Sequence, residues 1–138
     1  MVLVLQESRK ERKMEEIRII VAGSRDFSDY QLMEQTLNSY LESKISGAKI
    51  QFVSGTARGA DKLGERFAQE NGYEVKRFPA QWEIYGKSAG YRRNATMAEY
   101  AAQESGVLFA FWDGSSRGTM HMINLARGKG LDVHIVRF

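Results

Sequence analysis

Residues 17–27 read IRIIVAGSRDF, a nearly continuous apolar run followed by a turn that contains glycine, serine and arginine. An apolar run without alternation is typical of a strand that is covered on both faces, as strands of a parallel sheet are. A second run of this kind, VLFAFW, occupies residues 107–112. These two stretches predict the central strands of an α/β domain.

Three shorter runs complete the strand pattern, at residues 50–53, 74–78 and 133–136. Residues 74–78 alternate between polar and apolar side chains, which is typical of an edge strand. Helical patterns lie between the strands, at about residues 28–41, 59–72, 89–103 and 118–127. The first helix is predicted to open with a capping box formed by Ser28 and Gln31, and the second to stop at Gly72.

Strands that alternate with helices need crossover connections, which are right-handed and place helices on both faces of a parallel sheet. We therefore predict a three-layer, Rossmann-like, doubly wound α/β domain of about five strands, in order 3-2-1-4-5, over residues 17–138. Residues 1–16 end in an almost wholly charged segment, which predicts a charged N-terminal arm, mobile or helical. The alternative is that Met14 marks the natural start of the domain and that the preceding residues are an extension.

Composition narrows the classes of function. The 138 residues carry a formal net charge of +3, and so small a surplus without a basic run does not indicate a nucleic-acid binder. The chain has no cysteine, and its two histidines, His121 and His134, are far apart in sequence, so we expect no metal site. The apolar run at residues 1–5 is too short to span a membrane. We expect a soluble, cytoplasmic protein without a membrane partner or a resident cofactor.

Three strand-to-helix turns are rich in small residues, and each contains an arginine. In a doubly wound sheet, ligands bind at the carboxyl ends of the strands, where helix N-termini point free amides into the gap. Glycine lets the backbone approach a phosphate, and arginine matches a phosphate with two hydrogen bonds. The turns supply Gly23, Ser24 and Arg25; Ser54, Gly55, Arg58, Gly59 and Asp61; and Asp113, Gly114, Ser116, Arg117, Gly118 and Thr119. Because these turns are neighbours in the predicted strand order, we predict one shared phosphate-binding rim.

The small residues of these turns also have structural interpretations. Gly55 and Gly59 suit a tight turn and close helix packing, and Ser116 or Thr119 suits a helix cap. Taken singly, each motif leaves both interpretations open. The coincidence of three such turns favours the phosphate site.

Two carboxylates in the turns have more than one predicted role. Asp61 lies in the first turn of its helix, where capping is the expected role and a contact to a ribose hydroxyl is the alternative. Asp113 is predicted either to orient Arg93 or Arg117 or to contact the sugar of a ligand.

The loop after the third strand, residues 79–94, supplies aromatic and basic side chains instead of small ones. Trp82 or Tyr85 is a candidate surface for a base, and the alternative is that these aromatics pin the loop to the domain. Arg93 and Asn94 begin a helix, where an arginine opposes the helix dipole unless an anion joins it. We therefore include Trp82, Arg93 and Asn94 in the predicted ligand site.

Five ordered motifs resemble the YspA, or YpsA-related, branch of the SLOG superfamily. They are IIVAGSRDF (19–27), SGTARGAD (54–61), FPAQW (78–82), AGYRRNATM (89–97) and FWDGSSRGT (111–119). That superfamily also contains the DNA-processing protein DprA, the LOG phosphoribohydrolases and sensor domains for nucleotides related to NAD or ADP-ribose. The resemblance implies a Rossmannoid fold, a nucleotide-type ligand and often a dimer.

The resemblance to the LOG enzymes also bears on catalysis. An arginine of these enzymes resembles Arg93. They also carry a Gly-Thr-x-x-Glu motif whose glutamate is catalytic. Gly118 and Thr119 match this motif, but this chain has Met122 at the position of the glutamate. A thioether cannot transfer a proton, so catalysis by that mechanism is not expected. An enzyme would need a rearranged acid, for which the candidates are Asp113, Asp61 and Glu99.

We therefore predict that the chain binds or senses a phosphate-bearing nucleotide or derivative, either NAD/ADP-ribose-like or a nucleoside monophosphate. The alternative is a LOG-like nucleotide N-glycosidase with Arg93 and Asp113 as candidate catalytic residues. Single-stranded DNA binding, as in DprA, is a third class that the modest charge disfavours. We expect a homo-oligomer, with a dimer favoured, and no nucleic-acid partner.

Overall fold

The computed structural model describes residues 15–44 and 47–138. In these two ranges the chain forms five strands and five α-helices, with a 3-10 turn at Gly86–Ser88. The strands are β1 (Glu16–Gly23), β2 (Lys49–Ser54), β3 (Glu74–Arg77), β4 (Ser105–Trp112) and β5 (Asp132–Arg137). The helices are α1 (Tyr30–Glu42), α2 (Ala60–Glu70), α3 (Trp82–Tyr85), α4 (Ala89–Ala102) and α5 (Arg117–Gly128).

The strands form one parallel sheet in the order β3-β2-β1-β4-β5, which confirms the predicted order. In the middle of the sheet, Ile19 of β1 lies opposite Phe52 of β2 on one side and Val107 of β4 on the other. The winding reverses between β1 and β4, because the chain moves from β1 toward β3 and then crosses to β4. The crevice for a ligand is therefore expected at the carboxyl ends of these two strands.

Successive residues of β1 point to opposite faces of the sheet, and each face carries its own core. Ile19 packs with Leu37 of α1 and Phe67 of α2 on one face. Ile20 packs with Met97 of α4 and with α5 on the other face. The helices therefore cover both faces, and the three-layer architecture is confirmed.

The start of α1 differs from the predicted capping box. Asp29 is the N-cap, and its carboxylate accepts a hydrogen bond from the Leu32 N–H at 3.1 Å. Ser28 lies one position too early to reach the same amide, and its carbonyl accepts from the Tyr30 N–H instead. The short helix α3 was not predicted, because four residues are too few to display a helical period.

The predicted arm of residues 1–16 lies, up to residue 14, outside the described residues, and Glu16 is already the first residue of β1. Within the described ranges, no helix is long and apolar enough to cross a membrane. The same ranges contain no group of three histidine or acidic side chains placed to hold a metal ion.

Candidate functional site

The turns after β1, β2 and β4 converge on a cavity of about 260 Å³ at the carboxyl end of the sheet, called here the main cavity. The loop after β3 and the start of α4 close its remaining side. Nine of the predicted ligand residues line this cavity: Gly23, Arg25, Asp61, Trp82, Arg93, Asn94, Ser116, Gly118 and Thr119. The structure thus brings together residues from all four strand-to-helix connections.

A second cavity of about 510 Å³, called here the side cavity, adjoins the first. It is lined by the turn after β2, including the predicted residues Gly55 and Arg58. Arg25, Trp82 and Arg93 line both cavities, so the two hollows share one wall. Arg58 therefore faces the side cavity and not the main cavity.

Six predicted ligand residues line neither of these cavities: Ser24, Ser54, Gly59, Asp113, Gly114 and Arg117. Ser24 is buried, and its hydroxyl accepts from the Asp113 N–H at 3.1 Å. Asp113 Oδ1 accepts from the backbone N–H groups of Ser115 at 2.9 Å and Ser116 at 2.8 Å. These bonds hold the pKa of Asp113 below its ordinary value. Asp113 therefore stabilises the turn after β4 through Oδ1, and it lines neither of these cavities.

Ser54 fixes the end of β2 to α2 and β3. Its hydroxyl donates to Glu65 Oε2 at 2.6 Å, and Glu65 Oε1 accepts from Arg77 Nε at 2.9 Å. The hydroxyl oxygen of Ser54 also accepts from the Thr56 N–H at 3.0 Å. Ser54 therefore shapes the turn that lines the side cavity without entering it.

Of the remaining three residues, Gly59 and Gly114 allow backbone conformations that favour glycine, and Arg117 faces solvent. Gly59 has a left-handed φ of +83° and lies against the carbonyl oxygens of Ser24 and Arg25. Gly114 likewise has a φ of +88°, and a side chain there would overlap the Arg137 guanidinium. The side chain of Arg117 is exposed at the start of α5.

Arg93 is half-buried in the wall between the main and side cavities. Its Nη1 donates to the Gly55 carbonyl oxygen, and its Nε donates to Asn94 Oδ1 at 3.0 Å. A Cβ atom on Gly55 would lie 2.7 Å from Arg93 Nη1 and 2.8 Å from Asp61 Oδ2. Only a glycine at position 55 therefore allows both charged groups to occupy their places.

Asp61 is 4% exposed, although its carboxylate forms part of the wall of the main cavity. Its Oδ2 accepts from the Ala57 N–H at 3.3 Å, so it bonds backward to the turn that precedes α2. Burial raises the pKa of Asp61 to about 6, and the nearby Arg93 only partly offsets this effect. Asp61 and Arg93 form no direct ion pair within the described part of the chain.

The main cavity is electropositive. Arg25, Lys87 and Arg93 line it, and Asp61 is the one carboxylate among its described lining residues. Asn94 is buried beside these charges and joins α4 to the start of α5, because its Nδ2 donates to the Gly118 carbonyl oxygen at 3.3 Å. The geometry therefore suits an anion flanked by the starts of two helices.

Several lining residues were not among the predicted ligand residues. Gly90, Tyr91 and Met97 line the main cavity beside Asn94, and Met122 of α5 forms part of its floor. Gly90 and Met97 are spaced by helical intervals from Asn94. The helical period of α4 was thus a usable signal. The same signal marks Met122, which lies three residues after Thr119 and four after Gly118 and stands at the position of the LOG glutamate.

Taken together, a parallel sheet of this order and a cavity at its switch point define a Rossmann-like α/β domain. The family described as the YspA, cpYpsA-related SLOG family matches residues 17–85. The "Gene 61 protein" of Mycobacterium phage D29 is 34% identical over 121 residues, which cover 84% of this chain and 93% of that protein. The chain belongs to the YspA, cpYpsA-related family of the SLOG superfamily.

The fold is also similar to that of DNA processing protein A (DprA) from Streptococcus pneumoniae, with a TM-score of 0.63. The sequence identity is 18%, and the matched region covers 89% of this chain and 50% of that chain. The chain thus spans about half the length of DprA. At this identity the similarity concerns the fold.

Proposed function

We propose that the chain binds a phosphate-bearing nucleotide or nucleotide derivative in the main cavity. The observation that carries this proposal is the position of Arg93. Its half-buried guanidinium stands between the main and side cavities, beside Arg25, without a direct carboxylate partner in the described ranges. The helix α4 begins at Ala89, so Arg93 is its fifth residue and does not begin the helix as predicted, and the helix dipole carries no argument at this position. A half-buried cation without a direct ion-pair partner is unfavourable unless an anion joins it, and a phosphate supplies that anion.

The other walls of the cavity suit the remaining parts of a nucleotide. Gly118 and Thr119 lie in the first turn of α5 and line the cavity, and a helix N-terminus favours negative charge. The Thr119 N–H donates to the hydroxyl of the N-cap Ser116 at 3.4 Å. Trp82 lines the rim of both cavities and is 51% exposed, so its indole offers a flat surface for a base. The phosphate would therefore lie near Arg25 and Arg93, and the base near Trp82.

Adenosine monophosphate and adenosine separate this proposal from a general affinity for aromatic molecules. We expect the monophosphate to bind at least about tenfold more tightly in isothermal titration calorimetry, because a hydrogen bond to a charged group contributes about 1.5–3 kcal/mol. ADP-ribose, titrated in parallel, distinguishes a mononucleotide ligand from an ADP-ribose-like one. Equal affinities for adenosine and its monophosphate would contradict a phosphate site.

One observation favours hydrolysis of a nucleotide as a second candidate function. Asp61 is a buried carboxyl group in the cavity wall with a pKa raised to about 6, which suits a general acid. In such a reaction, water would attack C1′ of the ribose while the bond from C1′ to the base breaks. Asp61 would give its proton to the leaving base and recover one from the water. Asp113 is a poorer candidate because its carboxylate is engaged by two backbone amides.

Release of free base from nucleoside monophosphates, followed by liquid chromatography, tests this second candidate. We expect Asp61→Asn to lower the rate by about tenfold or more, since the acid is lost. The wild-type rate should fall as pH rises through about 6, because the protonated form of Asp61 is then depleted. The matched control is Glu99→Gln, an exposed carboxylate outside the cavities. A rate that Asp61→Asn leaves unchanged would exclude Asp61 as the acid.

A further inference from the structure

A third cavity, of about 610 Å³, lies between the end of the edge strand β3 and the first two turns of α4. We call it the edge groove. Arg93 lines the edge groove as well as the main and side cavities, and Pro79 lines both the edge groove and the side cavity. The three hollows are therefore neighbours, and Arg93 lines all of them.

The edge groove is lined by cations and, within the described residues, by no carboxylate. Arg77 is paired with Glu65 at 2.9 Å, so its charge is already compensated. Lys76 and Arg92 have no ion-pair partner in the described ranges. Two cations without an ion-pair partner thus line this groove, in addition to Arg93 of the proposed phosphate site.

Both cations are held by neighbouring groups that leave their charge available. The Arg92 guanidinium lies 4.4 Å from the centroid of the Tyr85 ring, and its Nε donates to the Ser88 hydroxyl at 3.0 Å. Lys76 Nζ lies 5.7 Å from the centroid of the Phe78 ring. These contacts orient the cations without neutralising them.

Cations in two adjoining hollows favour a ligand that carries more than one phosphate. A mononucleotide carries its charge at one end, whereas Lys76 and Arg92 are two cations in addition to the Arg25, Lys87 and Arg93 of the main cavity. A phosphodiester chain repeats its charge along its length, and single strands also need exposed aromatic surfaces on which bases stack. Trp82 and Tyr85, at the two ends of α3, are 51% and 43% exposed and supply such surfaces.

We propose that the edge groove binds the phosphodiester backbone of a single-stranded oligonucleotide whose terminal nucleotide occupies the main cavity. The inference rests on the proposed nucleotide site and names the class of ligand that this site takes. It differs from the expectation, drawn from the net charge of +3, that no nucleic acid binds. The net charge is a sum over the whole molecule, whereas cations line each of the three adjoining cavities.

The test compares thymidine 5′-monophosphate with a thymidine tetranucleotide that carries a 5′-phosphate, titrated calorimetrically at several salt concentrations. We expect the tetranucleotide to bind about tenfold more tightly or better. Each phosphate of a single strand that the protein neutralises steepens the slope of log affinity against log salt by about 0.7. The two cations in the groove should therefore steepen it by about 1.4.

The double variant Lys76→Gln/Arg92→Gln should remove this gain and the extra salt slope while leaving the affinity for the monophosphate unchanged. The matched control is Arg127→Gln/Lys129→Gln, which removes two exposed cations at the opposite end of the sheet and should change neither affinity.

The outcomes separate the two proposals. If the monophosphate binds and the tetranucleotide binds no better, the edge groove inference is overturned and the nucleotide site stands. If neither ligand binds, both fail. A gain that survives in the double variant, or equal competition by a polyglutamate peptide, would also overturn the inference.

Discussion

Replacing Arg93 by alanine should weaken the binding of adenosine monophosphate by about a hundredfold. A charged hydrogen bond contributes about 1.5–3 kcal/mol, and Arg93 offers a phosphate more than one N–H group. The variant also removes the cation that lowers the pKa of the buried Asp61, so this carboxyl becomes more protonated and does not repel an anionic ligand more strongly. Isothermal titration calorimetry measures this loss directly.

The fold should tolerate the change. Arg93 is only half-buried, and one of its two hydrogen-bond partners, the Gly55 carbonyl, lies in a turn that lines the side cavity, where water can replace the guanidinium. The other partner, Asn94, keeps its own bond to the Gly118 carbonyl. We therefore expect a loss of about 1 kcal/mol or less in unfolding free energy, measured by urea denaturation. Arg93→Lys keeps the charge but loses the planar fork. The affinity of this variant for adenosine monophosphate should therefore lie between those of the wild type and Arg93→Ala.

Arg117→Ala is the matched control for this experiment. Both arginines lie in the first two turns of a helix and both belong to the sequence motifs, but Arg117 is exposed and lines none of the three cavities. Its removal should leave the affinity within about twofold, as for a surface change away from the site. If Arg117→Ala weakened binding and Arg93→Ala did not, the ligand would lie elsewhere.

Gly59→Ala should destabilise the protein by about 3 kcal/mol or more. A left-handed φ, here +83°, costs a residue with a Cβ atom about 1–2 kcal/mol. The new Cβ would also lie 2.5 Å from the Ser24 carbonyl oxygen and 2.6 Å from the Arg25 carbonyl oxygen. Overpacking of this kind costs about 1–3 kcal/mol more, because backbone atoms cannot move aside as a flexible side chain can.

Gly72→Ala separates the two contributions. Gly72 also has a left-handed φ, of +74°, but a Cβ atom there would meet nothing within 4 Å. Its replacement should therefore cost only the conformational part, about 1–2 kcal/mol. Urea denaturation of both variants gives the difference. Equal losses would mean that the turn after β1 and the start of α2 are not packed as described.

The fold could be predicted from the sequence because its signals are local and mutually consistent. The apolar runs of β1 and β4 indicate buried strands, and the helical segments between strands impose parallel crossovers. The start of α1 was assigned to the wrong residue, since Ser28 and Asp29 are adjacent and both suit a cap. Such a choice depends on one backbone torsion, which a sequence pattern does not reveal.

The convergence of the turns could be predicted, but the direction of each side chain could not. In helix α5, Gly118 lines the cavity while Arg117 faces solvent, and their orientation depends on the residue at which the helix begins. In the turn after β1, Arg25 lines the cavity while its neighbour Ser24 is buried. Turns lack the regular period of helices and strands, so neighbouring positions give no rule for orientation. The raised pKa of Asp61 likewise arises from tertiary burial that no local motif records.

The glycine at position 55 limits which substitutions are possible in two parts of the chain that are distant in sequence. Asp61 and Arg93 both occupy space that any larger residue at this position would take. A side chain at position 55 can therefore be accommodated only if Asp61 or Arg93 is replaced or displaced. Substitutions at positions 55, 61 and 93 should therefore be correlated among related sequences, although 38 residues separate Gly55 from Arg93.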